Sequence, residues 1–184
     1  MEQKTNLTFS QPEERDALLS WWKELDKVRG ERTALRQCHT PPEVAFTPAF
    51  YRLKMRLDLF GSVSPDHLEK LAIIAGVLSH VKEYRYKGYE RNFERSFAVQ
   101  MARPPLKWGR EKRACISDLR FRQLLKIDDP DKLYTTMIRF VRLLGGSVDI
   151  ASLANGIYWW NEHTKKEWAY AYYENAPREE NSGV

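Results

Sequence analysis

Eight Lys and Arg residues, against two acidic residues, lie between Arg103 and Lys126. The first half of this segment has the two prolines and the glycine of a loop, and its second half, from Ser117, reads as the start of a helix. Cations gathered with few carboxylates bind phosphates, because each neutralised phosphate releases condensed counterions. We predict that the segment binds a polyanion through Arg103, Lys107, Arg110, Lys112, Arg113, Arg120, Arg122 and Lys126.

The next helix, predicted from Pro130 to Leu144, carries a second basic face. At about 100° per residue, its large apolar side chains gather on one side. Arg139 and Arg142 lie nearly opposite, and no acidic residue shares their face. Such a helix can bury its apolar face while it offers the basic face to a ligand.

Within the helix that begins after Ser117, Arg122 and Lys126 share a face because they are four residues apart. Arg120 instead falls within the apolar arc of that helix. Its guanidinium therefore either snorkels to solvent or pairs with Asp118 or another buried carboxylate.

Aromatic residues are interleaved with these charges. Trp108 stands among four basic residues. It could stack on an unpaired base, as aromatic side chains do in single-strand grooves, or it could pin the loop to the protein body by burial. The same two roles are open to Tyr84, Tyr86 and Tyr89.

The charge distribution along the chain supports a polyanionic partner. The 184 residues have a net charge of +5. Between Lys82 and Arg142, however, 16 basic residues face 8 acidic ones, so that segment has a net charge of +8 and the remainder −3. Such asymmetry is typical of proteins that bind nucleic acid or another anionic surface. The alternative is a helical adaptor whose basic face docks on an acidic protein.

Catalytic and metal-binding patterns are missing from the sequence. The four histidines and two cysteines show no metal-ligand spacing, and the acidic residues 128, 129 and 131 are explained by a helix cap. We therefore expect no enzyme activity, no cofactor and no metal. The polar N-terminus and the absence of an apolar run of about 20 residues predict neither a secretory signal nor a membrane span, and favour the cytoplasm.

Helix-start signals recur along the whole chain. Ser10 precedes Pro12 and a predicted helix whose apolar stripe reaches Val28, and further cap-plus-proline pairs stand at Thr40, Thr47, Ser64 and Asp128 or Asp129. Ser147 is predicted to cap a later helix. No strand-like alternation of useful length occurs.

We predict an all-α fold, a bundle of roughly eight to nine helices. The polar segment from Lys82 to Asn92 is the best candidate boundary, which divides the chain into residues 1–88 and 89–184. These parts form either two packed helical subdomains or a single domain.

Several blocks, in order, cover most of the chain: LSWWKEL from Leu19, the run from Arg36 to Leu53 with PAFYRL, SDLRFRQLL, GSVDIASLANGIYWW and a terminal AYAYY. Together they resemble the CasB-type small subunit of the type I-E CRISPR Cascade complex. The resemblance implies a non-catalytic, all-helical protein that pairs with a second copy of itself. Its implied partners are the guide RNA, the target and non-target DNA strands and the other Cascade subunits. Its implied role is to hold the R-loop and the displaced non-target strand open in antiviral defence.

The resemblance adds two candidate backbone contacts, Arg36 and Arg52, to the basic residues named above. A second basic residue often follows the position of Arg36 in this family, whereas this chain has Gln37. Basic residues of the family also form salt bridges between proteins, so both roles stay open for each cation.

Overall fold

A computed structural model describes residues 7–61, 63–84, 96–104 and 113–177. Across these ranges the chain forms ten α-helices and two strands of two residues each. The helices are α1 Pro12–Glu24, α2 Glu31–Gln37, α3 Pro41–Ala45, α4 Pro48–Leu57, α5 Pro65–Ser79, α6 Phe97–Ala102, α7 Asp118–Leu125, α8 Pro130–Leu143, α9 Ile150–Tyr158 and α10 Glu162–Asn175, and the strands are β1 Glu83–Tyr84 and β2 Ser147–Val148. The predicted all-α class is confirmed, with slightly more helices than expected.

Three of the predicted cap-plus-proline starts form as expected. The side chain of Thr40 accepts from the Glu43 amide at the start of α3, and Thr47 caps α4 in the same way. Asp129 accepts from the Lys132 amide 2.8 Å away and caps α8. Each cap satisfies a backbone N–H that the helix itself leaves unpaired, and the proline sits where no N–H is needed.

The predicted caps at Ser10 and Ser147 are wrong, and so is the predicted burial of Val28. The N-cap of α1 is Gln11 rather than Ser10, and it makes no side-chain capping bond. Asp149 caps α9 by accepting from Ser152, because Ser147 belongs to β2. Val28 is 43% exposed, since α1 ends at Glu24 and the chain turns before its apolar stripe can continue.

The two strands pair in parallel, with Glu83 opposite Ser147 and Tyr84 opposite Val148. Two residues are too few to show an alternating pattern, so the sequence carried no signal for them. Just before the pairing, the Lys82 amide donates to the Gly146 carbonyl over 2.8 Å. Gly145 and Gly146 both have positive φ, which glycine adopts without strain, and so end α8. The pairing holds the end of α5 beside the end of α8.

Helix α5 lies at the centre of the molecule. Its residues from Leu71 to Ser79 are all buried, and it packs against α2, α3, α4, α8 and α9. Gly76 permits the closest approach, because a Cβ there would lie 2.5 Å from the Tyr134 ring and 2.9 Å from Val44. The C-terminal part of α5 is thus buried on every side, and the neighbouring helices pack around it. The division at residue 88 stays a prediction, although α5 packs against helices from both sides of it.

None of the helices in the described ranges is long and apolar enough to cross a membrane.

Candidate nucleic-acid interface

A groove opens where the C-terminal ends of α2 and α5 meet the outer face of α8. It encloses about 350 Å³ and is lined by Arg36, Cys38, His39, His80, Tyr134, Thr135, Ile138, Arg139 and Arg142. We call it the α2–α8 groove. Three of the predicted contact residues, Arg36, Arg139 and Arg142, therefore meet at one place although they come from two distant segments of the chain.

Helix α8 has the two faces that its spacing predicts. Leu133, Met137 and Val141 are fully buried on the inner face. Arg139 and Arg142 are exposed on the outer face, with Thr135 one turn before Arg139. The apolar face fixes the rotation of the helix, so the two guanidinium groups point into the groove without contributing to the core.

The C-terminal end of α5 provides hydrogen-bond acceptors for the groove. The Arg36 Nε donates to the Ser79 carbonyl over 2.7 Å, and the Arg142 Nη2 donates to the His80 Nδ1 over 3.4 Å. Because a guanidinium group can only donate, Nδ1 must be the unprotonated ring nitrogen of His80. Two consecutive residues thus hold arginines from two different helices.

The electrostatics of the groove favour an anion. Burial, with smaller contributions from Arg142 and Arg36, lowers the pKa of His80 to about 4, so the ring is neutral at neutral pH. Burial and the nearby charges of Arg32 and Arg142 lower the pKa of Arg36. No carboxylate among the described residues forms a salt bridge with Arg36, Arg139 or Arg142. An anionic ligand would relieve the mutual repulsion of these cations.

Arg52, the other residue suggested by the resemblance, is half-buried and forms a two-point pair with the Glu31 carboxylate. The hydrogen bond from Arg52 to Glu31 raises the pKa of the arginine. Arg52 stays a predicted contact, but a phosphate would have to compete with Glu31 for it.

Helix α7 differs from its predicted arrangement. Arg120 is exposed rather than within a buried arc, and Asp118 pairs with Arg122 over 2.8 Å instead. The apolar arc is narrower than expected because only Phe121 and Leu124 are buried on this two-turn helix, and Leu119 is 61% exposed. Of the two roles predicted for Arg120, the pairing with Asp118 is wrong, because Asp118 pairs with Arg122.

The remaining predicted contacts lie away from the groove or outside the described residues. Arg103, Arg113 and Lys126 are exposed. The Cys115 amide donates to the Arg103 carbonyl and the Ile116 amide to the Met101 carbonyl, so the backbone at the end of α6 pairs with the backbone before α7. Lys107, Arg110, Lys112 and Trp108, together with Tyr86 and Tyr89, lie outside the residues that the structure describes, whereas Tyr84 is part of β1.

Comparison with known proteins identifies the family of the chain. The family model of CRISPR-associated protein Cse2 matches residues 31–173. The chain belongs to the Cse2 family. This confirms the resemblance to CasB-type subunits inferred from the sequence blocks. No curated protein matches the chain.

The fold of this Cse2 family member is found in a solved structure of Cascade. A chain in the crystal structure of E. coli Cascade bound to a PAM-containing dsDNA target (32-nt spacer) matches with a TM-score of 0.58. The two chains are 18% identical, and the match covers 86% of this chain and 95% of that chain. At this identity the match shows a common fold.

Sequence reasoning missed the part of the site that α5 contributes. His80 was considered only as a metal ligand, and no group of His, Cys, Asp and Glu in the described ranges could hold a metal ion. The only available signal was its position directly after a predicted buried helix. Such a position places a side chain next to the unpaired carbonyls of a helix end.

Proposed function

We propose that this Cse2 family member is a non-catalytic small subunit of a type I-E Cascade complex. In that complex it binds the nucleic-acid backbone without base selectivity, and so stabilises the R-loop and the displaced non-target strand. The family membership of the chain and the presence of its fold in E. coli Cascade bound to a dsDNA target support this proposal. The partners are the guide RNA, both DNA strands, the other Cascade subunits and a second copy of the chain.

The observation that carries the proposal is the α2–α8 groove. Three arginines from two helices meet there, and none forms a salt bridge within the described part of the chain. Guanidinium groups bind phosphate oxygens with paired hydrogen bonds, and phosphates are the same in every sequence.

Contacts between arginines and backbone phosphates are sufficient to stabilise an R-loop. An RNA–DNA hybrid is about as stable as the DNA duplex it replaces, so R-loop formation is nearly balanced. Modest protein contacts to the backbone can therefore tip the exchange. The protein needs no helix that reads bases, because base pairing with the guide supplies the sequence specificity.

The first test measures binding of the purified chain to a labelled single-stranded oligonucleotide at several salt concentrations. We expect log K to fall by about 0.7 per neutralised phosphate for each tenfold rise in salt. Arg139→Ala with Arg142→Ala should weaken binding about tenfold to a hundredfold and reduce that slope, while the melting temperature stays close to that of the parent.

The matched control is Lys23→Ala with Lys166→Ala, which removes the same charge from exposed positions on α1 and α10. This variant should bind within about twofold of the parent, since neither lysine lines the groove. Equal weakening by both double variants would mean that only net charge matters and would contradict a site in the groove. Binding that does not respond to salt would contradict the polyanion surface and favour an acidic protein partner.

A second test examines the complex. Affinity capture of the tagged chain from cells that express a type I-E system should recover guide RNA and the other subunits. Loss of R-loop formation, with assembly intact, is expected for the Arg139→Ala and Arg142→Ala double variant. Failure of the parent chain to enter the complex would overturn the proposal.

A further inference from the structure

Helix α5 ends at the groove with two acceptors on consecutive residues, the Ser79 carbonyl and the His80 Nδ1. Each accepts a hydrogen bond from an arginine that also lines the groove, Arg36 on α2 and Arg142 on α8. The C-terminal end of a helix carries partial negative charge, which attracts cations. Such contacts can cap α5, arrange the groove, or do both.

Capping alone does not require Arg36 or Arg142. The guanidinium group of Arg32 already donates to the Ser79 carbonyl over 3.3 Å and to the Val81 carbonyl over 3.2 Å. The Leu78 carbonyl accepts from the Trp22 indole over 3.1 Å. Side chains from other helices therefore satisfy two of the last carbonyls of α5, those of Leu78 and Ser79, and the Val81 carbonyl just beyond it, without the groove arginines.

The contact made by Arg142 is of a different kind, since it ends on a side chain. His80 is 8% exposed, so its ring has little freedom to rotate. Free arginine side chains on a helix surface sample many rotamers, and fixing one costs conformational entropy on binding. A neutral imidazole that accepts one N–H limits this freedom and leaves the other N–H groups of Arg142 for a ligand.

We propose that His80 is a positioning residue: it holds the Arg142 guanidinium beside Arg36, so that both arginines bind one phosphate group of a nucleic-acid backbone. The proposal rests on the backbone-binding function proposed above. His80 itself does not contact the phosphate. Its ring supplies an uncharged acceptor, whereas a carboxylate at this position would neutralise the arginine and compete with the ligand.

The experiment compares His80→Leu with His80→Asn in the full chain. Leucine removes the acceptor, whereas the Asn Oδ1 can occupy nearly the position of Nδ1 and accept the same N–H. Both variants lose the ring and should lower the melting temperature similarly. We expect His80→Leu to weaken binding of a labelled single-stranded oligonucleotide about threefold to tenfold at low salt, and His80→Asn to restore most of that loss.

A second arm repeats His80→Leu in the Arg142→Ala background. If His80 acts through Arg142, the histidine substitution should have no further effect on affinity there. The same loss of affinity in both backgrounds, or equal loss with leucine and asparagine, would show a merely structural role and overturn the proposal.

The two proposals fail in different ways. If the parent chain binds with a clear salt dependence, Arg142→Ala weakens binding and both histidine variants bind like the parent, backbone binding stands and the positioning role of His80 is wrong. If Arg142→Ala leaves affinity unchanged, both the groove site and the positioning role are wrong.

Discussion

Two groups of cations in this protein have the same chemistry and different surroundings. The first, the paired group, consists of Arg32, Arg52, Lys54 and Arg56, which form salt bridges with Asp26, Glu31, Asp58 and Glu24. The second, the groove group, consists of Arg36, Arg139 and Arg142, for which the described chain supplies no such carboxylate. The net charge along the sequence does not distinguish the two groups. Within the described residues, a ligand would have to compete with a carboxylate for each cation of the paired group, but not for the arginines of the groove group.

Arg32 and Arg36 make the contrast sharpest, because they lie four residues apart on α2. The side chain of Arg32 is 11% exposed, and it donates to the Trp22, Ser79 and Val81 carbonyls as well as to Asp26. Arg36 is exposed and donates to the Ser79 carbonyl alone among described residues. One turn of helix thus separates an arginine that links three segments from one that lines the groove.

The largest expected effect is on Arg32. Arg32→Ala should lower the free energy of unfolding by about 2–4 kcal/mol, because it leaves buried carbonyls without donors and removes the stacking on Trp22. Urea unfolding followed by tryptophan fluorescence measures the change. Arg36→Ala is the matched control and should cost less than about 1 kcal/mol while weakening oligonucleotide binding. Similar stability losses in the two variants would remove the distinction between the groups.

The next effect is a dependence of stability on pH that originates at His80. Its pKa is 6.5 in the unfolded chain and about 4 in the folded protein. As the pH falls from about 6.5 to 4, the unfolded state binds a proton that the folded state does not, so stability decreases. The full contribution is up to about 3 kcal/mol, present above pH 6.5 and lost towards pH 4.

Chemical unfolding at a series of pH values tests this dependence, with His80→Asn as the reference for the carboxylates that titrate in the same range. The parent should lose more stability than His80→Asn between pH 6.5 and 4. In the Arg142→Ala background the difference should shrink, because that arginine contributes to the low pKa of His80. Parallel pH profiles for the parent and His80→Asn would contradict the prediction.

A smaller effect is expected for the pair of Arg52 and Glu31 in the paired group. A double-mutant cycle with Arg52→Ala and Glu31→Ala should give a coupling of about 0.5–1 kcal/mol, since Arg52 is partly exposed and its charge is screened by solvent. If Glu31 also restrains Arg52 from binding phosphate, Glu31→Gln should strengthen oligonucleotide binding. Unchanged or weaker binding by Glu31→Gln would leave Arg52 with a structural role only.

The smallest effect on stability is expected for Arg122, whose pair with Asp118 is exposed on both sides. Arg122→Ala should change the free energy of unfolding by less than about 0.5 kcal/mol. A phosphate can replace the exposed Asp118 carboxylate as the partner of Arg122. We therefore expect Arg122→Ala to lower the affinity for the oligonucleotide a few-fold. Thermal unfolding and oligonucleotide titration of the same preparation measure both, and a large stability loss would place Arg122 in the paired group.

Features that depend on neighbours along the chain were predictable from the sequence. The caps at Thr40, Thr47 and Asp129 and the two faces of α8 follow from bonds within one turn and from a period of 3.6 residues. The all-α class follows from the same signals. The cap predicted at Ser147 was wrong because another capping residue, Asp149, stands two positions later. The apolar arc predicted around Arg120 was too wide because only Phe121 and Leu124 are buried on the short helix α7.

Which cations form salt bridges and which line the groove was decided by contacts between distant segments. His80 meets Arg142 across 62 positions, and Arg36 meets Ser79 across 43. Both contacts depend on the position of the end of α5, which its packing against α2 and α8 fixes. The two-residue strand pairing that holds this end beside the end of α8 has no sequence signature. A periodic pattern records which side of a helix faces the core, but it does not record which carbonyl, carboxylate or ring lies opposite the other side. That information exists only once the helices have packed, and it separates the groove arginines from the paired ones.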